Sequence, residues 1–207
     1  MGGETRPVYL PSCGYTLRIM QVPLFPLNTV LFPGGPLPLR IFEPRYLDMI
    51  SRCMKTDEPF GVLLIREGDE AGQATTHPIG TLARVADWYQ GSDGLLGITA
   101  IGTERFRLCS VERQGDGLNI GEVELLSPIQ PMVLPDEYKS LPPILESVLD
   151  DLGRLYEGLE RRYDDAVWIA WRFVEILPID LEEKQAVLES DDIVACLGLI
   201  EGALHPQ

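Results

Sequence analysis

The chain has 207 residues, of which 45% are hydrophobic and 24% charged, and this ordinary globular usage argues against disorder of the whole chain. No run of about 18 apolar residues occurs, and no basic flank precedes an apolar block at the N-terminus, so we expect no membrane span, no secretory signal and a cytoplasmic location. The formal net charge is −15, of which −11 falls on residues 135–207, and this balance argues against DNA or RNA as a partner because nucleic-acid affinity comes largely from Lys and Arg.

The chain divides into two regions of different periodicity behind a short leader. Residues 1–16 carry glycines and prolines without periodicity and are predicted to be a flexible leader. Residues 17–134 consist of short β-type runs broken by Gly, Pro and Asp, which predicts a barrel or folded sheet. Residues 135–207 change to helical spacing, which predicts a helical bundle packed on the β-rich region. The predicted fold class is therefore α+β.

One helix is predicted inside the β-rich region. Pro44 suits the first turn of a helix, which ends at the polar stop Lys55. The residues that recur at helical spacing are Tyr46, Leu47, Ile50, Cys53 and Met54. We expect this helix to pack one apolar face onto the sheet.

Two turns rich in Gly and Asp predict connections between β-type runs. The runs before and after these turns contain alternating apolar residues, so three or four strands are expected to form a meander. The predicted runs are 81–90, 95–101, 104–111 and 118–126, with turns at 91–94 and 114–117.

In the C-terminal region an apolar stripe predicts one long helix that begins near Pro142 and Pro143. The stripe consists of Leu145, Val148, Leu149, Leu152, Leu155, Tyr156, Leu159 and Tyr163. A second helix, capped by Asp164 or Asp165 and ended by Pro178, is apolar nearly all round, which is typical of the middle of a bundle.

Two shorter helices complete the predicted bundle. Asp180 and Glu183 have the spacing of a capping box for a helix that runs to Leu188. Ser190 or Asp191 is expected to begin the last helix. The predicted buried face of that helix contains Ile193, Val194, Leu197, Ile200 and Leu204.

The sequence lacks the motifs on which the chemistry of an ATPase or a serine peptidase depends. A phosphate-binding loop needs GxxxxGK followed by Ser or Thr, and Lys55, Lys139 and Lys184 lie outside such a context. None of the serines lies in a nucleophile elbow. We therefore predict no catalytic residues and a protein that is not an enzyme.

The cysteines and histidines give no indication of a metal or a cofactor. The two histidines, His77 and His205, are separated by most of the chain. The cysteines are widely spaced without a CxxC pair, so they are interpreted as buried free thiols. They are Cys13, Cys53, Cys109 and Cys196. We predict no metal site and no cofactor.

A series of short motifs follows in a set order along the chain. The first are Pro23-Leu24-Phe25-Pro26-Leu27, Val30-Leu31-Phe32-Pro33-Gly34, and Pro38-Leu39 through Phe42-Glu43, Arg45 and Tyr46. The later ones are 60–65, 79–83, 102–106, 177–179, 181–185 and Leu188. Their order and spacing resemble the N-terminal, substrate-binding domain of Lon proteases over about residues 20–204. A related domain forms part of cereblon.

The resemblance implies a small PUA-like β-barrel with one or more short helices, residues 17–134, followed by an α-helical bundle, residues 135–207. It also implies a freestanding form without the ATPase and peptidase domains. The expected role is capture of unfolded or degron-bearing polypeptides, as an adaptor, regulator or holdase, with a protease or chaperone as a further partner. Most of the motif residues also fit ordinary core or turn positions.

Two other functions are kept as alternatives. Barrels offer concave sites, and Trp88 and Tyr89 lie beside a turn, so a small-molecule-binding or enzymatic barrel is one alternative. A buried, polar-lined cavity favours it, whereas a filled barrel with a shallow external groove favours peptide. RNA binding, by analogy with PUA-like folds, is the other, and the acidic balance argues against it.

Aromatic and Arg side chains near turns or helix starts are the candidates for binding polypeptide, because they offer large contact area and bidentate donors. The candidates are Arg40, Phe42, Arg45, Tyr46, Trp88 and Tyr89. Trp88 and Tyr89 point to opposite faces of a regular strand, so at most one belongs to any single surface.

Overall fold

Seven strands and five α-helices make up the part of the chain that the computed structural model describes, residues 18–70 and 74–204. The predicted leader, residues 1–16, lies outside these residues. The strands are β1 (Ile19–Leu27), β2 (Pro36–Ile41), β3 (Phe60–Glu67), β4 (Thr75–Thr76), β5 (Ile79–Gln90), β6 (Leu96–Arg113) and β7 (Asn119–Leu125). The helices are α1 (Pro44–Thr56), α2 (Leu141–Leu152), α3 (Ala166–Ile176), α4 (Leu181–Glu189) and α5 (Ile193–Leu204). This content confirms the α+β class.

The seven strands belong to one sheet with the order β1-β7-β6-β5-β3-β4, and β1 pairs in addition with β3. Five strands, β1, β7, β6, β5 and β3, therefore each have at least two strand neighbours, and we call them the five-strand set. The β1–β3 pair is parallel, with Leu24 opposite Gly61. Strand β2 pairs with β6, and within the described residues its other edge has no strand partner. A regular PUA-like barrel remains a prediction of the sequence.

Side chains fill the space enclosed by the five-strand set. Phe106 is fully buried there, and a Cβ atom on Gly61 or Gly80 would lie 2.9 Å or 3.0 Å from its ring. The two glycines therefore make room for the phenyl group. The buried side chains around it are Val22, Leu24, Leu63, Leu82 and Val123. Close packing of this kind leaves the interior occupied by protein atoms.

The predicted turn between β5 and β6 is confirmed. The Gly91 N–H donates to the Leu95 carbonyl at 2.8 Å, and Gly94 has the positive φ of 81° that favours glycine. The predicted break between the runs 95–101 and 104–111 is wrong, because both runs belong to the single strand β6. Gly102 continues the strand, since its N–H donates to the Gly35 carbonyl at 2.9 Å.

Helix α1 has the predicted bounds within a residue and packs against the sheet. Its buried face contains Tyr46, Met49, Ile50 and Cys53, whereas Met54 is exposed. The predicted long helix after Pro143 is wrong, because α2 ends at Leu152. Gly153 follows with φ of 58°, a positive backbone angle that glycine adopts without the steric cost of a side chain.

Helix α3 is covered on every side, as its apolar sequence predicts. All nine residues from Ala166 to Val174 are buried. The Asp165 carboxylate caps it by accepting from the Val167 N–H at 3.0 Å, which confirms the predicted start. Helices α2, α4 and α5 contact α3, and Phe32 from the loop before β2 and Leu64 from β3 belong to the same core.

The starts of α4 and α5 agree less well with the predicted caps. The Asp180 side chain makes no capping hydrogen bond, so the predicted capping box is wrong. The Asp192 carboxylate, rather than Ser190 or Asp191, accepts from the Ala195 N–H at the start of α5. On that helix Val194 is exposed, and its buried residues are Ile193, Cys196, Leu197 and Ile200.

The loop Val30–Gly35 lies between the sheet and α3. The Phe32 ring packs 6.4 Å from that of Trp171, measured between ring centroids. Inside the loop motif, the Leu31 carbonyl accepts from the Thr81 hydroxyl at 2.6 Å, and the Pro33 carbonyl accepts from Arg172 at 2.9 Å. The loop therefore joins the sheet to the helical region.

A second link joins β6 to the helical region. The buried Arg105 guanidinium donates to the Leu188 carbonyl at 2.9 Å and to the Asp191 carboxylate at 2.6 Å. Arg105 thus satisfies one of the last carbonyls of α4 from the sheet side. The two subdomains expected at 17–134 and 135–207 share a core and these polar contacts.

A buried Arg–Glu pair lies beside the loop. Arg172 is fully buried, and its guanidinium donates to the Glu175 carboxylate at 2.7 Å. Burial raises the pKa of Glu175 to about 8, although Arg172 and Lys184 act to lower it. Burial likewise lowers the pKa of Arg172. The charged form of each side chain therefore loses solvation on burial, and its interaction with the other side chain compensates for part of that cost.

Replacement of Trp171 by Ala is expected to reduce the free energy of unfolding by roughly 3–5 kcal/mol, because it empties a site in the shared core. Chemical unfolding followed by near-UV signals of the sheet and by helical circular dichroism checks this. We expect coincident transitions, since the core spans both regions. Trp171→Phe, which keeps a ring at the site, is the control and loses less. Two separated transitions would show independent domains.

The stability of the protein should depend on the ionisation of Glu175. The folded protein holds a proton that the unfolded chain releases between about pH 4.5 and about pH 8, so the free energy of unfolding falls as pH rises through this window. The Glu175→Gln variant should lack this part of the slope, on the order of a few kcal/mol. Urea unfolding of both proteins from acid to alkaline pH measures the difference, and parallel curves would contradict it.

Candidate functional site

An open groove of about 450 Å³ lies between β2, the end of β1 and the start of α1. We call it the β2–α1 groove. It is lined by Phe25, Leu27, Asn28, Thr29, Leu37, Pro38, Leu39, Arg40, Ile41, Phe42, Glu43, Tyr46 and Glu70. Side chains alternate along β2. Leu37, Leu39 and Ile41 point towards the core and form the apolar part of the lining, whereas Arg40 and Phe42 point to the opposite side.

A stacked column of side chains supports the floor of the groove. The Phe25 and Tyr46 rings stack with centroids 4.0 Å apart, and the Arg45 guanidinium lies 4.6 Å from the Tyr46 ring centroid. Phe25 and Tyr46 are nearly fully buried. Burial raises the pKa of the Tyr46 hydroxyl, while the neighbouring Arg45 acts to lower it, so the group stays neutral.

Arg45 ties three segments together at one end of the groove. Its guanidinium donates to the Glu43 carboxylate at 2.9 Å, to the Gly117 carbonyl at 3.0 Å and to the Glu70 carbonyl at 3.0 Å. The Glu70 carboxylate in turn accepts from the Asn28 N–H at 2.8 Å. The side chain is half-buried and its donors are largely used, so Arg45 positions the groove rather than offering a free cation.

The outer rim carries Arg40 and Phe42. Arg40 forms an ion pair with Asp93 from the β5–β6 turn, and both side chains are exposed. Phe42 is 63% exposed, which is unusual for so large an apolar side chain. The rim therefore combines an exposed aromatic ring with a neutralised cation.

Trp88 and Tyr89 lie outside the groove and are both exposed. Trp88 lines a separate recess of about 130 Å³ beside the end of α1, near Met54. Tyr89 covers Gly97, where an added Cβ would lie 2.3 Å from the Tyr89 ring. The structure thus brings Arg40, Phe42, Arg45 and Tyr46 together and leaves the other two predicted residues on different surfaces.

A larger recess, of about 600 Å³, lies between β4 and the distal parts of β6 and β7. Its lining includes Glu67, Thr75 and Arg113, and none of the predicted site residues belongs to it. It ends at Ala74, beside residues outside the described part. The β2–α1 groove has the more apolar, aromatic floor that polypeptide recognition requires.

Two of the cysteines, Cys53 on α1 and Cys196 on α5, are buried. Burial raises the pKa of the Cys53 and Cys196 thiols, which disfavours the reactive thiolate. Cys109 is exposed, so its interpretation as a buried thiol is wrong, because it lies on the distal part of β6 that extends past the core. Cys13 lies outside the described residues.

Two features of the described residues bear on other classes of site. Within residues 18–70 and 74–204, no cluster of three or more His, Cys, Asp or Glu side chains is arranged to hold a metal ion. In the same part of the chain, no helix combines the length and the hydropathy needed to cross a membrane.

The sequence from residue 21 to residue 204 matches the family model of the ATP-dependent protease La (LON) substrate-binding domain. This chain belongs to the Lon substrate-binding domain family. The match runs from β1 to the end of α5, so both the sheet and the helical region are parts of the family's domain. The resemblance inferred from the short motifs is confirmed.

Several known proteins are similar to this chain. The crystal structure of a Lon N-terminal domain protein from Xanthomonas campestris is 34% identical, has a TM-score of 0.72, and covers 88% of this chain and 98% of its own. Lon protease 2 of Myxococcus xanthus is 25% identical over 86% of this chain, and cereblon of Danio rerio is 30% identical over 57%. The chain spans only 23% and 27% of the lengths of those two proteins.

The groove contains residues that the sequence predicts to be in the core and others for which the sequence gives no signal of a binding role. Phe25 and Leu27 looked like core positions, and Glu70 gave no local signal. One signal was available, because Pro36 and Pro38 at alternate positions are typical of an edge strand. An edge strand with apolar side chains marks a surface where a groove can form.

Replacement of Arg45 by Ala should lower the free energy of unfolding by roughly 1.5–3 kcal/mol, because three partly buried acceptors lose a charged donor. Arg52→Ala on the exposed side of the same helix is the matched control and should change stability by well under 1 kcal/mol, roughly. Urea unfolding compares them. Equal effects would mean that Arg45 does not hold the groove together.

Proposed function

We propose that this protein is a non-catalytic polypeptide-recognition module, acting as an adaptor, regulator or holdase for unfolded or degron-bearing chains. Membership of a substrate-binding domain family supports this proposal, and the β2–α1 groove is the observation that carries it. The proposal includes a cytoplasmic setting and a protease or chaperone that receives the cargo. It also includes the PUA-like barrel as the scaffold.

The groove has the composition that binding of an extended apolar segment needs. Its floor is built from apolar and aromatic side chains on β1, β2 and α1, and Phe42 at the rim offers contact area that is exposed before any partner binds. Burying such a ring in a complex is the kind of contact that dominates interface energetics.

The filled interior of the five-strand set argues against the main alternative. A small-molecule-binding or enzymatic barrel needs a concave, polar-lined cavity, whereas the Phe106 ring and its neighbours occupy the space between the strands. The external groove is therefore the better candidate. The acidic net charge of −15 argues against RNA, because nucleic-acid affinity comes largely from Lys and Arg.

The Phe42→Ala variant should bind unfolded model polypeptides about tenfold more weakly, because an exposed aromatic ring that becomes buried in a complex contributes about 1–2 kcal/mol. Trp88→Ala is the matched control, since Trp88 is similarly exposed and lies outside the groove. Fluorescence anisotropy with a labelled, permanently unfolded polypeptide measures both. Circular dichroism verifies that each variant is folded.

Two results would count against the proposal. If neither the wild type nor the controls retain any unfolded polypeptide, the protein is not a polypeptide binder. If Trp88→Ala weakens binding and Phe42→Ala does not, binding takes place at the recess beside the end of α1 instead.

A further inference from the structure

The outer edge of β2 has an unusual hydrogen-bonding character. The Gly102 N–H donates to the Gly35 carbonyl, and Pro36 lies opposite Ile101 in the register of β2 with β6. Alternation then directs the backbone groups of Leu37, Leu39 and Ile41 to β6 and those of residues 36, 38 and 40 outward. Because Pro36 and Pro38 have no N–H, the outward edge carries three carbonyls and a single donor, the Arg40 N–H.

This edge does not suit addition of a further strand. Strand addition needs alternating donors and acceptors along the edge, and prolines are a common device that prevents it. An occupant of the β2–α1 groove must therefore be held by its side chains and by donors that it brings to the carbonyls. The edge of β2 thus selects for donor-rich segments.

The charged side chains around the groove also favour a segment that carries hydrogen-bond donors. Three carboxylates, those of Glu43, Glu70 and Asp93, surround it, against the two guanidiniums of Arg40 and Arg45. Both guanidiniums are already paired, Arg40 with Asp93 and Arg45 with Glu43. The lip of the groove therefore has an excess of negative charge and of acceptors.

We propose that the β2–α1 groove takes a polypeptide segment in which a bulky apolar side chain is flanked by Lys or Arg residues. The apolar side chain occupies the floor beside Phe42, and the basic side chains donate to the outward carbonyls of β2 and to the carboxylates at the lip. This inference rests on the proposed function and adds its sequence preference. Acidic flanks are disfavoured, because they face like charge and find few free donors.

The test uses short fluorescein-labelled peptides of equal length that share a Trp-Leu anchor and differ in flanks of Lys, Gln or Glu. A Lys-flanked peptide with Ser in place of the anchor is the fourth probe. We expect the affinity order Lys, Gln, Glu, with about a tenfold range that narrows as salt screens the charges. Of the two Lys-flanked peptides, the one without the Trp-Leu anchor should bind more weakly than the one that has it.

The double variant Glu70→Gln with Asp93→Asn neutralises two lip carboxylates and keeps the oxygen atoms that accept from Asn28 and Leu95. It should reduce the preference for Lys over Glu flanks by roughly threefold to tenfold. Glu146→Gln with Asp151→Asn, on the exposed side of α2, makes the same change in net charge far from the groove and should leave the preference intact.

The outcomes separate the two proposals. Three results would overturn the sequence preference but would be compatible with polypeptide recognition. They are equal affinity for all flanks, a preference for Glu flanks, and an equal loss of the Lys preference in both double variants. Tight binding of the Lys-flanked peptide without the anchor also overturns it, because attraction would then be electrostatic alone. If no anchored peptide binds, or if binding is indifferent to Phe42→Ala, the groove itself is not the recognition site.

Discussion

The polar backbone of the loop Val30–Gly35 must find hydrogen bonds inside the protein, because the loop lies between the sheet and α3 where water has little access. It finds them from three directions. Thr81 on β5 donates to Leu31, Gly102 on β6 exchanges bonds with Gly34 and Gly35, and Arg172 on α3 donates to Pro33. The same bonds fix where β2 begins and hence its register on β6. The position of the groove therefore follows from how this loop is satisfied.

The contacts of Arg172 also explain why a guanidinium is tolerated in the core. An unpaired buried guanidinium would be costly, and the Glu175 carboxylate and the Pro33 carbonyl share its compensation. Replacement by apolar residues of the same volume would fill the space but leave the Pro33 carbonyl without a donor. The pair thus gives the loop a specific docking position as well as a packed surface, a role that buried polar groups have in other proteins.

Local patterns predicted the elements well and their junctions poorly. The hairpin turn at 91–94, the Pro44 start of α1 and the Asp165 start of α3 follow from residues that act on their immediate neighbours. The end of α2 at Leu152 did not, because an apolar stripe continues through Tyr156 and Gly153 is a single weak signal against it. The unbroken β6 depends on Gly102 pairing with Gly35, a contact across a long stretch of sequence. For the groove, aromatic and Arg residues near the α1 start were recognisable, whereas Glu70 joins the site only through the fold.

Helix α3 has no face that can meet water, and this has a consequence for synthesis on the ribosome. Its last cover, α5, is also the last helix of the described chain to emerge, and Arg172 must meet Pro33 across 139 positions. Contacts of such long sequence separation form slowly. Until α5 arrives, the face of α3 that α5 covers in the folded protein has no partner. A nascent chain therefore carries an apolar helix face without its cover until α5 has emerged.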